Sequence, residues 1–136
     1  MPTPLLLDTC ALIWSLSGAK MSDESLAALE SIGEGSARLY LSPISMWEVG
    51  MLIARGRIAF AVHGWLELID LHPSLTLAPM PPQVLLDSSF LPSAPPADPA
   101  DRIILATARQ YGYRIVTRDR KILAYARQGH AAWMEC

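Results

Sequence analysis

Residues 4–14, Pro-Leu-Leu-Leu-Asp-Thr-Cys-Ala-Leu-Ile-Trp, decide the fold. Three successive leucines are typical of a buried strand, and apolar residues at helical spacing follow at once from Thr9 to Leu16. An unsatisfied carboxylate in an apolar interior costs several kcal/mol, so Asp8 must cap the helix, pair with another group or bind a cation. A buried strand that leads directly into a helix is typical of an α/β fold.

The same alternation continues along the chain. Further strands are predicted at residues 38–42, 75–78, 113–117 and 131–134, and further helices at 22–30, 42–56, 62–71, after Pro82, 101–112 and 120–129. Ser42 and Pro43 are typical of a helix start, while Gly56 and Gly112 are typical of helix ends. The proline-rich stretch 91–100 predicts a loop. We therefore expect a three-layer α/β/α fold with a central, mainly parallel sheet, in a single domain over residues 1–136.

Composition and charge narrow the functional classes. With 51% hydrophobic and 18% charged residues the chain is predicted to be globular, and no apolar run approaches the length of a membrane span. Two cysteines at opposite ends, without a signal peptide, predict a cytoplasmic protein with no disulfide framework. Residues 102–136 hold seven basic and two acidic residues, a net charge of +5, whereas residues 1–101 hold four basic and eleven acidic residues, a net charge of −7. The basic segment either binds a polyanion or forms solvated helix faces.

Several carboxylates fall where strands end or helices begin. The set comprises Asp8, Glu48, Asp98, Asp101 and Asp119. Each aspartate has an alternative role as a helix cap or turn residue, and Glu48 has one as an exposed helix residue. Ligands of parallel sheets bind at the carboxyl ends of the strands, so these acids are expected to converge there. Capping does not explain Glu48 within the apolar segment Ser-Met-Trp-Glu-Val-Gly-Met-Leu-Ile.

Clustered carboxylates repel one another unless a cation lies between them, and Mg²⁺ and Mn²⁺ prefer such oxygen ligands. A metal ion held in this way can activate water and stabilise charge on a phosphodiester. The basic C-terminal segment would then hold the phosphate backbone. The residues together predict a metal-dependent nuclease whose products carry 5′-phosphate and 3′-hydroxyl ends.

Four segments resemble, in order, the motifs of PIN-domain proteins, and most closely those of the VapC-type toxins. They are Leu-Leu-Leu-Asp-Thr-Cys-Ala-Leu-Ile-Trp, Ser-Pro-Ile-Ser-Met-Trp-Glu-Val, Asp-Pro-Ala-Asp-Arg-Ile-Ile-Leu-Ala-Thr-Ala and Ile-Val-Thr-Arg-Asp. The resemblance implies that an acidic quartet binds one or two Mg²⁺ or Mn²⁺ ions: Asp8, Glu48, Asp101 and Asp119. It also implies supporting roles for Asp98, Thr9 and Thr117.

The same resemblance implies a ribonuclease that cuts structured RNA such as tRNA or ribosomal RNA, forms a homodimer and is inhibited by a VapB-type antitoxin. In the family, a C-terminal antitoxin segment lies in a groove beside the active site. Apolar residues that either line this groove or belong to the core are Trp14, Met46, Trp47 and Met51. The chain departs from the family pattern at Cys10, Pro96 and Ala100, so no relative's target RNA can be transferred to it.

Other enzyme classes lack their signatures. No phosphate-binding Gly-x-x-x-x-Gly-Lys motif or Gly-x-Ser-x-Gly elbow is present, and the three histidines lack zinc-ligand spacing. A haloacid-dehalogenase-type phosphatase would place a second Asp where Cys10 stands. The remaining alternative is a catalytically inactive module that binds RNA or protein.

Overall fold

The computed structural model describes residues 3–17, 22–24, 27, 38–58 and 75–136. Its strands are β1 (Leu5–Leu7), β2 (Leu39–Leu41), β3 (Leu75–Leu77), β4 (Arg114–Thr117) and β5 (Ala132–Glu135). They form a five-stranded sheet in the order β3-β2-β1-β4-β5, and every pairing is parallel. The predicted α/β class with a parallel sheet is therefore confirmed.

Helices cover the two faces of this sheet. They are α1 (Thr9–Ser17), α2 (Pro43–Ala54), α3 (Pro82–Ser88), α4 (Pro99–Tyr111) and α5 (Arg120–Tyr125). Side chains of a strand alternate between faces, so Leu5 and Leu7 pack with Leu12 of α1 and Val49 of α2. Leu6 packs on the other face with residues of α4 and α5, including Ile104 and Ile122. Two apolar cores on opposite sides of one sheet make the predicted three layers.

The helix boundaries follow local chemistry that the sequence predicts. The Ser42 hydroxyl accepts a hydrogen bond of 3.2 Å from the Ile44 amide, and Pro43 occupies the first position of α2, where its missing N–H costs nothing. Gly112 ends α4 with a φ of +71°, a left-handed conformation that glycine adopts without steric cost. The start of α2 and the end of α4 therefore lie where the capping residues of the sequence predict them.

The last helix differs from the prediction. The sequence predicts one helix over residues 120–129, but the α-helical part ends at Tyr125 and the segment Ala126–His130 is π-helical. Gly129 within it has a φ of +96°. The wider turn and this left-handed glycine redirect the chain into β5, which a continued α-helix would not do.

Two predicted helices fall largely or wholly outside the described residues. The helix predicted at 62–71 lies outside them, and of the helix predicted at 22–30 only residues 22–24 and 27 are described. Within the described ranges no helix combines the length and apolar character needed to cross a membrane.

The strand order sets the place of the site. From β1 the chain continues to β2 on one side, whereas β4 pairs with β1 on the other side. Such a reversal of direction opens a crevice at the carboxyl ends of the strands, where α/β folds bind ligands. Asp8 directly follows β1 and therefore lies at this point.

Candidate active site

Asp8 is buried at the carboxyl end of the central strand, with only 3% of its surface exposed. One carboxylate oxygen accepts a hydrogen bond of 2.7 Å from the Ala11 amide, and the other accepts one of 2.5 Å from the Thr117 hydroxyl. The first bond caps α1, as the cap interpretation of the sequence predicts. The second ties the ends of the adjacent strands β1 and β4 together, so Asp8 has both a capping role and a long-range one.

Thr117 links two of the acids. Its hydroxyl donates to Asp8 and accepts a hydrogen bond of 3.0 Å from the Asp119 amide. Thr117 is fully buried, so this hydroxyl is fixed by its two partners. Asp119 in turn caps α5, because one of its carboxylate oxygens accepts from the Lys121 amide at 2.9 Å and the Ile122 amide at 3.0 Å.

Glu48 approaches the same crevice from α2. Its carboxylate is hydrogen-bonded to the Thr9 hydroxyl, which also lies 2.9 Å from the Ser45 hydroxyl. Glu48 is half-buried, so it is not the solvated helix residue that composition alone would favour. Thr9 therefore positions Glu48 rather than its own neighbour Asp8. Sequence analysis missed Ser45, although its spacing of one helical turn from Glu48 on α2 is a usable signal.

The remaining acids stand at the start of α4. The Asp98 side chain caps this helix by accepting a hydrogen bond of 3.0 Å from the Asp101 amide. Asp101 lies in the first turn, which favours a negative charge through the helix dipole. Arg102 donates a hydrogen bond of 2.8 Å to the Pro96 carbonyl, and Ala100 is buried. Pro96 and Ala100 are two of the three departures from the family pattern; the Pro96 carbonyl anchors the loop to Arg102, and Ala100 packs inside the helix start.

The charges of these acids act on one another. Burial, together with the nearby charges of Asp119 and Glu48, raises the pKa of Asp8 to about 6, against the lowering effect of its hydrogen bonds. The pKa of Asp101 rises to about 7, first through burial and then through the charges of Asp98, Asp119, Glu48 and Asp8. Burial also raises the pKa of Glu48, with a contribution from Asp98. All five predicted acids therefore belong to one electrostatic unit.

Cys10 lies at the rim of this unit. Burial raises the pKa of its thiol to about 12, and the charges of Asp8, Glu48, Asp119 and Asp101 add to the effect. The thiolate is the nucleophilic form of cysteine, and this environment disfavours it. Cys10 and Cys136 are both free, as the sequence predicts.

The predicted groove residues divide between core and surface. Met46 packs against the core on the α1 and α2 side of the sheet, whereas 58% of the Trp47 surface is exposed beside Glu48. Met51 is partly buried, and the side chain of Trp14 lies outside the described part of the structure. Trp47 is thus available as a groove wall, and Met46 serves mainly as core.

The donor set is chemically suited to a hard divalent cation. It offers carboxylates and hydroxyls, which Mg²⁺ and Mn²⁺ prefer, and a cation would relieve the mutual repulsion that raises the pKa of Asp8 and Asp101. In the described ranges, no three His, Cys, Asp or Glu side chains are gathered tightly enough to hold one ion by themselves.

Comparison with known proteins identifies the family. The model of the PIN domain matches residues 5–128 of this chain. This protein belongs to the PIN-domain family. The match includes all four segments on which the resemblance rests, from the leucine strand before Asp8 to the segment that ends in Asp119.

A relative places this PIN-domain protein among the VapC-type members. Ribonuclease VapC22 of Mycobacterium tuberculosis (strain ATCC 25618 / H37Rv) is 34% identical over 127 residues, which cover 92% of this chain and 93% of the relative. The predicted resemblance to VapC-type PIN-domain proteins is therefore confirmed.

Solved structures support the fold. The chain matches the DNA-bound VapBC of Salmonella typhimurium with a TM-score of 0.67 at 17% identity, covering 98% of each chain. It matches VapBC2 of Rickettsia felis, bound to a promoter DNA fragment, with a TM-score of 0.68 at 12% identity, covering 96% of this chain and 97% of the other. The PIN-like three-layer arrangement is thus shared with both.

Proposed function

We propose that this protein is a Mg²⁺- or Mn²⁺-dependent endoribonuclease and the toxin of a toxin–antitoxin pair. The observation that carries the proposal is the convergence of acids from four separate parts of the chain on one crevice at the topological switch point. Asp8 comes from the end of β1, Glu48 from α2, Asp101 from α4 and Asp119 from the end of β4. The relationship to a protein named as a ribonuclease supports the same activity.

Each acid would have a distinct part in holding the ion. Asp8, Glu48, Asp101 and Asp119 would be the ligands, and a cation would balance the charges that burial and neighbouring acids disfavour at Asp8 and Asp101. Asp98 supports Asp101 by fixing its backbone amide. Thr117 and Thr9 orient Asp8 and Glu48 through their hydroxyls.

The ion, when bound, would polarise the phosphodiester and make a water molecule more acidic, so the 2′-hydroxyl of the RNA is not needed for attack. The protein supplies orientation and a partly buried setting in which these charges act strongly. Products would therefore carry 5′-phosphate and 3′-hydroxyl ends. Cyclic 2′,3′-phosphate ends would contradict this mechanism.

The biological partners follow from the family. We propose a structured RNA such as tRNA or ribosomal RNA as the substrate, a second copy of the chain in a homodimer, and a VapB-type antitoxin as the inhibitor. The structural relatives named as VapBC complexes support the last, and exposed Trp47 beside Glu48 offers the antitoxin an apolar contact. A cytoplasmic location agrees with the two free cysteines.

Cleavage of total RNA by the purified chain, free of antitoxin, tests the activity. Wild type with Mg²⁺ or Mn²⁺ should cut, EDTA should stop the cutting, and Asp8→Asn and Asp101→Asn should both abolish it. Asp87→Asn is a matched control, because Asp87 bonds to Gln83 and does not contribute to the pKa of Asp8 or Asp101. A wild-type protein that binds no Mn²⁺ and cuts no RNA would instead support a non-catalytic binding module.

A further inference from the structure

A second cleft lies along the edge strand β5, beside the acidic crevice at the carboxyl end of β4. Its volume is about 510 Å³, within the usual range for ligand pockets. Residues that line it include Glu24, Arg118, Arg127, Trp133, Glu135 and Cys136. None of them belongs to the set of acids and hydroxyls proposed to hold the metal ion.

An arginine and an aromatic ring form the centre of this cleft. The Arg127 guanidinium lies 4.6 Å from the centroid of the Trp133 indole, a cation–π arrangement. Arg127 also forms a salt bridge of 3.2 Å with Glu135, in which both side chains are about half exposed (46% and 56%). Exposed ion pairs of this kind contribute little to stability, so a stronger anion can displace Glu135 at small cost.

Arg118 joins the cleft to the acidic crevice. It directly precedes Asp119 in the chain, and its guanidinium donates a hydrogen bond of 3.0 Å to the Cys136 carbonyl. Because β4 and β5 are paired neighbours, the ends of these two strands lie side by side. A polymer that crosses the acids at the end of β4 can therefore continue past Arg118 into the cleft along β5, which holds the Arg127–Trp133 pair.

We propose that this cleft binds a nucleotide of the RNA substrate next to the scissile phosphate, with its base stacked against the Arg127–Trp133 pair and its phosphate held by Arg118 and Arg127. The assignment rests on the proposed ribonuclease function. Aromatic rings and guanidinium planes are the surfaces on which proteins stack single-stranded bases, and arginine is suited to phosphate. An acidic peptide would use the arginines but gain less from the flat indole.

Binding of a 5′-fluorescein-labelled, mixed-sequence single-stranded RNA of twelve nucleotides tests the proposal. Fluorescence anisotropy is measured with Mg²⁺ in the Asp8→Asn background, so that the probe is bound and not cut. Trp133→Leu should weaken binding about tenfold, whereas Trp133→Phe, which retains a ring, should stay within about threefold. Arg127→Gln should weaken binding and lower the slope of log Kd against log salt by about one.

Glu135→Gln should strengthen binding severalfold, because it removes the anion that competes for Arg127. A merely structural salt bridge would not give this result.

Matched controls are Phe90→Leu and Arg55→Gln, which change an exposed aromatic residue and an exposed arginine outside the cleft. Both should bind the probe like the parent protein. Thermal melting of each variant identifies loss of fold, and the opposite effects of Arg127→Gln and Glu135→Gln keep the test valid if Trp133→Leu is unstable.

Unchanged affinity in Trp133→Leu, or an equal loss in the controls, would overturn the proposal. Polyglutamate serves as a competitor for the probe. If it displaces the probe from the protein with Trp133 but not from the Trp133→Leu variant, the cleft binds an acidic polypeptide instead. These failures are distinct from failure of the ribonuclease function, which would appear as a wild-type protein without metal-dependent cleavage.

Discussion

Asp8 shows how one residue combines a structural role with an unfavourable charge. Its two oxygens cap α1 and tie β1 to β4, while burial and neighbouring acids oppose its ionisation. An asparagine would keep the hydrogen bond from the Ala11 amide and lose the charge, but its amide group could not accept from the Thr117 hydroxyl. The carboxylate at this position therefore supports the proposal of a bound cation.

Asp8→Asn should abolish RNA cleavage and, at pH 8 without metal, raise the melting temperature by several degrees. The amide oxygen can still accept from the Ala11 amide, and the amide group can donate to the Thr117 hydroxyl. The Thr117 proton loses its acceptor, but the buried charge disappears, which is the larger effect. Differential scanning fluorimetry and a cleavage assay measure the two effects. A lower melting temperature would show that the charge stabilises the metal-free fold, contrary to this expectation.

Thr117→Val should cost about 1–3 kcal/mol of unfolding free energy, because it leaves buried partners of the lost hydroxyl unsatisfied. It removes the hydrogen bond that lowers the pKa of Asp8, so the acidic limb of the cleavage pH profile should move to higher pH. Thr117→Ser retains the hydroxyl and is the control. Chemical denaturation and a pH–rate profile measure the effects; identical profiles for Val and Ser would refute the role of the hydroxyl.

At the scale of the element, the helix starts carry most of the site. Asp98 begins α4 and Asp119 begins α5, and each makes a capping hydrogen bond while adding charge to the crevice. The sequence alone left the cap and ligand interpretations as alternatives. The structure shows that the capping geometry exists and that the charges nevertheless act on their neighbours.

Substitutions at Asp98 separate these two roles. Asp98→Ala should destabilise the protein by about 1 kcal/mol through loss of the cap, whereas Asp98→Ser should restore most of this stability. Both remove a charge that raises the pKa of Asp101 and Glu48, so both should shift the acidic limb of the cleavage profile to lower pH. A shift with alanine only would show that it arises from altered helix geometry, not from charge.

For the whole molecule, the parallel sheet brings acids from distant segments to the carboxyl ends of its strands, and this couples pH to stability. The folded-state pKa values of Asp8 and Asp101, about 6 and about 7, lie above the ordinary value of 3.8. Between about pH 4 and pH 7 the folded state therefore binds more protons than the unfolded state, and the free energy of unfolding contributed by these groups falls as pH rises.

Metal-free protein should accordingly melt at a higher temperature at pH 5.5 than at pH 8, and Mn²⁺ at pH 8 should recover the difference. The double variant Asp8→Asn, Asp101→Asn should show a flatter pH dependence and no Mn²⁺ effect. Scanning fluorimetry across pH, with EDTA or Mn²⁺, measures this. A wild-type melting temperature that rises steadily from pH 5.5 to pH 8 in EDTA would contradict the assignment.

The sequence by itself determined the alternation of strands and helices, the helix ends at Ser42 and Gly112, and the family, because these depend on local spacing and ordered motifs. Only the tertiary structure decided that Thr117 bonds to Asp8 and Thr9 to Glu48, because the paired groups lie 109 and 39 residues apart in the chain. It also decided the π-helical turn before β5. The chain must turn there for β5 to pair with β4, although the sequence pattern alone would continue the α-helix. Likewise, the Arg127–Trp133 cleft exists because β5 pairs with β4 beside the acids, a consequence of strand order that no local pattern contains.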